Sequence, residues 1–143
     1  MKALLTAVKT IIANNSTCQT FMGIGGPYVL ALPQPTPAYP YVLISQMSGT
    51  TNWQGFGSTY VARPHLRFGV WDRDQDVCIT HTEFLANLLD VTSNWSISNG
   101  EQCRLPIRIE EPRFLPAQVD VNGILVFGGI LDYRFNVQRT RGV

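Results

Sequence analysis

The chain has 143 residues, 45% of them hydrophobic and 15% charged, with a formal net charge of +1. That length suits one domain, residues 1–143, built on a single core. The apolar fraction excludes intrinsic disorder, which needs few apolar residues and much charge.

Three cysteines (Cys18, Cys78, Cys103) and two histidines (His65, His81) give no closed disulfide framework, no C-x-x-C pair and no zinc-ligand spacing. Three reduced thiols, mostly buried, are expected. The charged fraction lies well below the usual ~25%. Two readings fit that: surface that another chain covers, or a polar surface of Ser, Thr, Asn and Gln. Charge is also unevenly placed. Residues 1–71 hold no acid and only Lys2, Lys9, Arg63 and Arg67, whereas the remainder holds all ten acids and seven arginines. Two faces of opposite sign, meeting between copies, would explain it; a chance asymmetry on a solvated surface is the plain alternative.

Lys2 ahead of an apolar run gives the N-terminus the look of a signal peptide, but Lys9 interrupts the run and no small-residue cleavage site follows. Leu4, Leu5, Val8, Ile11 and Ile12 instead keep helical spacing and predict an amphipathic helix over Lys2–Asn14. No stretch approaches the ~18 apolar residues of a membrane span. A soluble, non-secreted chain with no membrane partner is expected.

Gly23 to Pro27 predicts a turn, and Tyr28 to Ala31 a short strand. From Pro33 to Pro40 a proline stands at nearly every second position, which suits an extended connection rather than a central strand. The P-x-P pattern could serve as a ligand for an aromatic groove, or simply as a rigid spacer. Tyr41 to Met47 reads as a strand. Ser48 to Ser58 reads as a polar, glycine-rich loop that either tucks Trp53 and Phe56 onto the domain or presents them to a partner.

Tyr60 to Asp72 alternates, with Leu66, Phe68 and Val70 on one side and Arg67 and Trp71 on the other. Pro64 confines the start of that strand to an edge or a bulge. A second helix follows over Gln75–Val91, with Phe84, Leu85, Leu88 and Leu89 as its apolar stripe and Asp74 or Asp76 placed to cap it. Asp72, Asp74 and Asp76 have the opening spacing of a calcium loop, but Val77 stands where that loop needs glycine, so calcium is rejected.

The remainder is rich in strands. Trp95 to Ile97 and Leu105 to Ile109 are short candidates, and Asn122-Gly123 marks a tight hairpin between Val119 to Val121 and Ile124 to Phe127. Gly128-Gly129 allows a bulge or bend. Leu131, Tyr133, Phe135 and Val137 then alternate with Asp132, Arg134, Asn136 and Gln138 on a long one-sided strand. The order of elements implies an α+β fold, a mainly antiparallel sheet with two helices packed on one face.

Groups for catalysis do not converge in this pattern. Cys78 and His81 share a helix face at i and i+3, but so do Phe84 and Leu85, so a packed histidine is the stronger reading. His65 has no evident partner. Glu110 and Glu111 would point to opposite sides of a strand, and Gly23-Ile24-Gly25-Gly26 is too short for a nucleotide fingerprint. No catalytic residue, metal ligand or cofactor is expected. Arg134, Arg139 and Arg141 make a basic stretch, but the chain as a whole lacks the basic stripe of a nucleic-acid binder.

From Pro40 onward the order of features resembles the tail completion, or tail terminator, family of long-tailed bacteriophages. The matching pieces are Pro40-Tyr41-Val42-Leu43-Ile44-Ser45, the strand Leu66 to Asp72, the helix ending Phe84-Leu85-Ala86-Asn87-Leu88-Leu89, the turn Asp120-Val121-Asn122-Gly123 and the closing strand Gly129 to Val137. The first helix fits as well. The proline-rich segment before Tyr41 and the loop from Ser48 to Ser58 depart from the pattern.

The resemblance implies a structural virion protein of the tail neck, assembled in the bacterial host cytoplasm. It would form a homo-oligomeric ring, typically of six, that caps the tail tube protein and joins it to the head–tail connector or stopper. DNA would pass through the lumen, with at most contacts that ignore sequence. Trp53 and Phe56 are the candidates for partner contact, and Arg134, Arg139 and Arg141 for the lumen or the surface between subunits. Another small neck adaptor, such as a head-closure or minor capsid protein, is the alternative, followed by a non-viral binding module.

Overall fold

Both runs of helical periodicity form helices at the predicted bounds, α1 (Lys2–Asn14) and α2 (Gln75–Val91). A computed structural model describes residues 2–22, 26–33, 37–48, 51–54, 59–92, 95, 97, 102–103 and 106–140. α1 buries Leu4, Leu5, Val8 and Ile12, and α2 buries Cys78, Thr82, Leu85, Ala86 and Leu89. Asp74 caps α2: its backbone is extended and its Oδ1 accepts the Val77 N–H at 3.0 Å, satisfying one of the free donors of the first turn.

The strands are β1 (Tyr28–Val29), β2 (Tyr41–Ser48), β3 (Thr51–Gln54), β4 (Thr59–Ala62), β5 (His65–Asp72), β6 (Gln102–Cys103), β7 (Ile107–Arg108), β8 (Arg113–Phe114), β9 (Gln118–Val119), β10 (Leu125–Arg134) and β11 (Val137–Thr140). The main sheet runs β1-β2-β5-β10, with β7, β8 and β9 all on the far side of β10. Among the described residues, only β1 against β2 is parallel. A second sheet runs β3-β4-β11-β6.

The two sheets are the two halves of one ribbon. β5 pairs β10 from Asp72↔Phe127 to His65↔Arg134, and β4 pairs β11 from Ala62↔Val137 to Thr59↔Thr140, in the same register without a slip. Phe135 N–H donates to the Pro64 carbonyl at 3.0 Å across the junction. On the other side, β2 pairs β5 from Tyr41↔Trp71 to Gln46↔Leu66, slips once before Ser48↔His65, and the new register continues as Thr51↔Ala62. That bulge at Met47 is the one irregularity in the described pairing of this hairpin.

This corrects the reading of Ser48 to Ser58 as a loop. Polar residues there carry a strand, β3, because β4 offers a neighbouring edge in register. Pro64 fits by sitting between β4 and β5, where its carbonyl accepts and no N–H is required.

Side chains sort by parity. On one face Val42, Ile44, Leu66, Phe68, Val70, Leu131, Tyr133, Phe135 and Val137 form one core with the apolar sides of α1 and α2. Phe68 and Tyr133 meet edge to face at 6.1 Å, and each large side chain fully buried there contributes about 1.5–3 kcal/mol. The fold is therefore the expected α+β arrangement of a mainly antiparallel sheet with two helices.

Gly128 and Gly129 do not bend the strand, as the sequence suggested; they lie within regular β10. Their role is close approach. A β-carbon on Gly129 would lie 2.0 Å from Thr82 Oγ1 of α2, and one on Gly128 would lie 2.7 Å from the Trp71 ring on the opposite face.

Candidate functional site

The face of the sheet away from the helices carries the odd-numbered residues of β5 and the even-numbered residues of β10. At one end the Trp71 indole lies flat across two glycines: β-carbons on Gly69 and Gly128 would stand 3.0 and 2.7 Å from it. Tyr41, opposite Trp71, stacks on Tyr39 with ring centroids 5.2 Å apart, and Tyr39 donates to Asp120 Oδ2 at 2.9 Å. The proline-rich connection thus leads its last aromatic onto the sheet, which supports its reading as a spacer.

At the other end of this face a single carboxylate gathers three bases. Asp132 is 3% exposed. His65 Nε2 lies 3.0 Å from its Oδ1, Arg67 Nε donates to Oδ1 at 2.9 Å, and an Arg113 guanidinium nitrogen donates to Oδ2 at 2.9 Å. Burial alone would raise the carboxyl's pKa, but the hydrogen bonds from Arg67 and His65 and the charge of Arg67 bring it down to about 2. His65 therefore has a partner that sequence spacing could not show. Glu110 and Glu111 are not on a strand: Glu110 pairs with Arg113 at 3.0 Å and Glu111 with Arg108 at 3.2 Å.

Beyond this cluster the face stays basic. Arg134 ends β10 opposite His65, exposed, and Arg63 continues the row of His65 and Arg67; neither makes an ion pair among the described residues. Of the five residues singled out from sequence, Arg134 is thus placed on the basic face. Trp53 lies on β3 opposite Tyr60, and Arg139 on β11 opposite the same Tyr60. Phe56 and Arg141 fall outside the described residues.

No known family model matches the chain, and no curated protein does.

On the helix side α2 has the opposite sign, whereas α1 carries Lys2 and Lys9 and no acid. α2 contains Asp76, Glu83 and Asp90 at steps of seven residues and no Lys or Arg. Asp90 is engaged: it accepts from Tyr133 at 2.7 Å and pairs with Arg108. Asp76 and Glu83 are exposed and make no ion pair among the described residues. A groove between α2 and the segment of β7 and β8 is lined by Glu83, Asn87, Arg108, Glu111 and Phe114, the last 43% exposed.

The thiol and imidazole of α2 are packing groups. Cys78 Sγ lies 3.5 Å from the carbonyl oxygens of Val70 and Phe127, and burial pushes its pKa up. His81 stacks on Phe21 with centroids 4.3 Å apart, and its Nδ1 is buried 3.5 Å from Asp72 Oδ2 without a hydrogen bond. Burial lowers the His81 pKa below the usual 6.5, against the pull of Asp72. The folded state then binds fewer protons than the unfolded chain, so stability should fall as pH drops below 6.5. His81→Phe keeps the stacking and removes the titration. Its denaturation midpoint should change less than wild type's between pH 7.5 and 5, both values lying above the window in which Asp132 titrates.

Among the described residues no three His, Cys, Asp or Glu side chains are grouped as a metal site, and no helix is long and apolar enough to cross a membrane.

Proposed function

We propose that the chain is a structural ring subunit of the neck of a long-tailed phage, capping the tail tube and offering the surface to which the head connector joins. The order and spacing of the segments that resemble tail terminators support this reading, as does the α+β fold. The observation that carries it is the separation of charge by the sheet: unpaired arginines on one face, and an acidic helix on the other. Subunits in a closed ring touch through two different surfaces, each the complement of the other, and this chain offers such a pair.

Light-scattering mass and negative-stain imaging of the purified protein test it. The expected assembly is a ring with a central hole; six chains of 15.9 kDa give a mass of about 95 kDa. If the free protein is monomeric, purified tail tubes should collect it at their ends. A monomer that also leaves tube ends bare would overturn the proposal.

A further inference from the structure

The unpaired charges on the two faces are matched in kind and in spacing. Asp76 and Glu83 stand two helical turns apart on the exposed side of α2, about 10 Å along its axis. Arg63 and Arg134 lie diagonally across neighbouring strands at the junction of the two sheets, about 7–8 Å apart at their backbones, and long side chains span the difference. Their counterions are not in their own chain among the described residues. Across the groove from Glu83 lies Glu111, already paired with Arg108, and beside the arginine pair Arg67 and Arg113 share the buried carboxylate of Asp132, Arg113 also pairing with Glu110.

We propose that these faces are the two sides of one contact between copies of this chain, in which Arg63 and Arg134 of one subunit seat on Asp76 and Glu83 of the next, with Phe114 as the apolar part of the acceptor groove. The inference rests on the ring reading and assigns its subunit contact. Arginine suits the role because a guanidinium is weakly hydrated and binds carboxylates through paired donors. The contact is head to tail, since the groove and the far face of the sheet are different surfaces of one subunit. Such a contact propagates until rotation closes it.

Charge reversal on each side separates this contact from any other. The acid-side variant is Asp76→Arg with Glu83→Arg, and the base-side variant is Arg63→Glu with Arg134→Glu. Sedimentation velocity of the full chain, over a wide range of concentration at low and moderate salt, is the readout. Each variant alone should associate at least tenfold more weakly than wild type. Mixed together they should form the full assembly with the two kinds of subunit alternating, because every contact then pairs opposite charges. The variant with all four reversals should assemble again.

Rings from either reversed variant at wild-type concentrations would overturn this contact and leave the ring reading standing. So would a mixture that stays monomeric, or a fourfold reversal that does not recover. A wild-type chain that never associates, alone or with tail tubes, would overturn both. Circular dichroism melts guard against misfolding; if a reversed variant melts early, Asp76→Asn with Glu83→Gln, or Arg63→Gln with Arg134→Gln, replaces it and should weaken association in the same direction. Capture of an unrelated cationic peptide by the acid side, with reversals leaving self-association unchanged, would count against a second copy as the occupant.

Discussion

Asp132→Ala should destabilise the protein by about 3 kcal/mol, read as a lowered urea midpoint at neutral pH with an unchanged slope. The carboxylate is buried while holding Arg67, His65 and Arg113, and its removal leaves the Arg67 and His65 donors without their acceptor and Arg113 with Glu110 alone. Removing one partner of a fully buried pair costs about 3–5 kcal/mol. Arg67 and Arg113 are partly exposed and can recover some hydration, which sets the low end of that range. The same group sets an acid limit. Its folded pKa is about 2 against 3.8 in the unfolded chain, so its contribution is complete above 3.8 and is lost as pH falls through that interval. The lost part amounts to about 2 kcal/mol. Asp132→Ala should therefore also flatten stability against pH in this window. A loss below about 1 kcal/mol at neutral pH would mean that the cluster is solvated and contributes little.

Gly129→Val should cost about 3 kcal/mol, and Gly129→Ala about 1–3, because β10 and α2 touch here without room for a side chain. Thr82 presents its Oγ1 2.0 Å, and its Cβ and Cγ2 2.9 Å, from where a β-carbon would stand. Rotating the threonine does not clear the space, since its Cβ is itself too close, and its hydroxyl is already donating to the Cys78 carbonyl at 2.7 Å. The helix must therefore lift. Thr82→Ala in the same chain should recover at least about 1 kcal/mol of the loss, as a coupling energy in a double-mutant cycle. Gly123→Ala is the contrasting control: nothing lies within 4 Å, but its φ of +79° is unfavourable for alanine, so its cost should be about 1 kcal/mol and independent of Thr82.

These two sites mark where reading the sequence succeeds and where it stops. The helices were legible because their signals are local: apolar spacing, and for α2 an aspartate, Asp74 or Asp76, placed to cap its start, of which Asp74 does so. The hairpin at Asn122-Gly123 was legible for the same reason, with Asp120 Oδ1 accepting the Asn122 and Ile124 N–H groups around the turn. What remained hidden depends on residues far apart in the chain. His65 and Asp132 are separated by 67 positions and meet only because β5 and β10 pair in one register. The glycine pair 128–129 reads locally as a bend, yet its cause is Trp71 on one side and Thr82 on the other. β3 was hidden because three of its four residues are polar and its partner, β4, provides backbone pairing rather than a pattern. For the proposed contact, sequence singled out Arg134, but its charge asymmetry ran between two parts of the chain and not between the two faces of the sheet. Asp76, Glu83 and Arg63 needed the sheet to show which charges are already neutralised.

The far side of β10 has a consequence for how the protein behaves at high concentration. Residues 107–119 track that strand as three two-residue pieces, with Pro106, Pro112 and Pro116 between or beside them. Ile109 and Leu115 turn their N–H groups inward, to the carbonyls of Asp132 and Gly128. A foreign strand arriving there meets an interrupted row of donors and no straight template, so runaway stacking of subunits into fibrils is discouraged on this flank. Apolar side chains such as Ile107 and Phe114 can then stay exposed on it without inviting strand-to-strand aggregation.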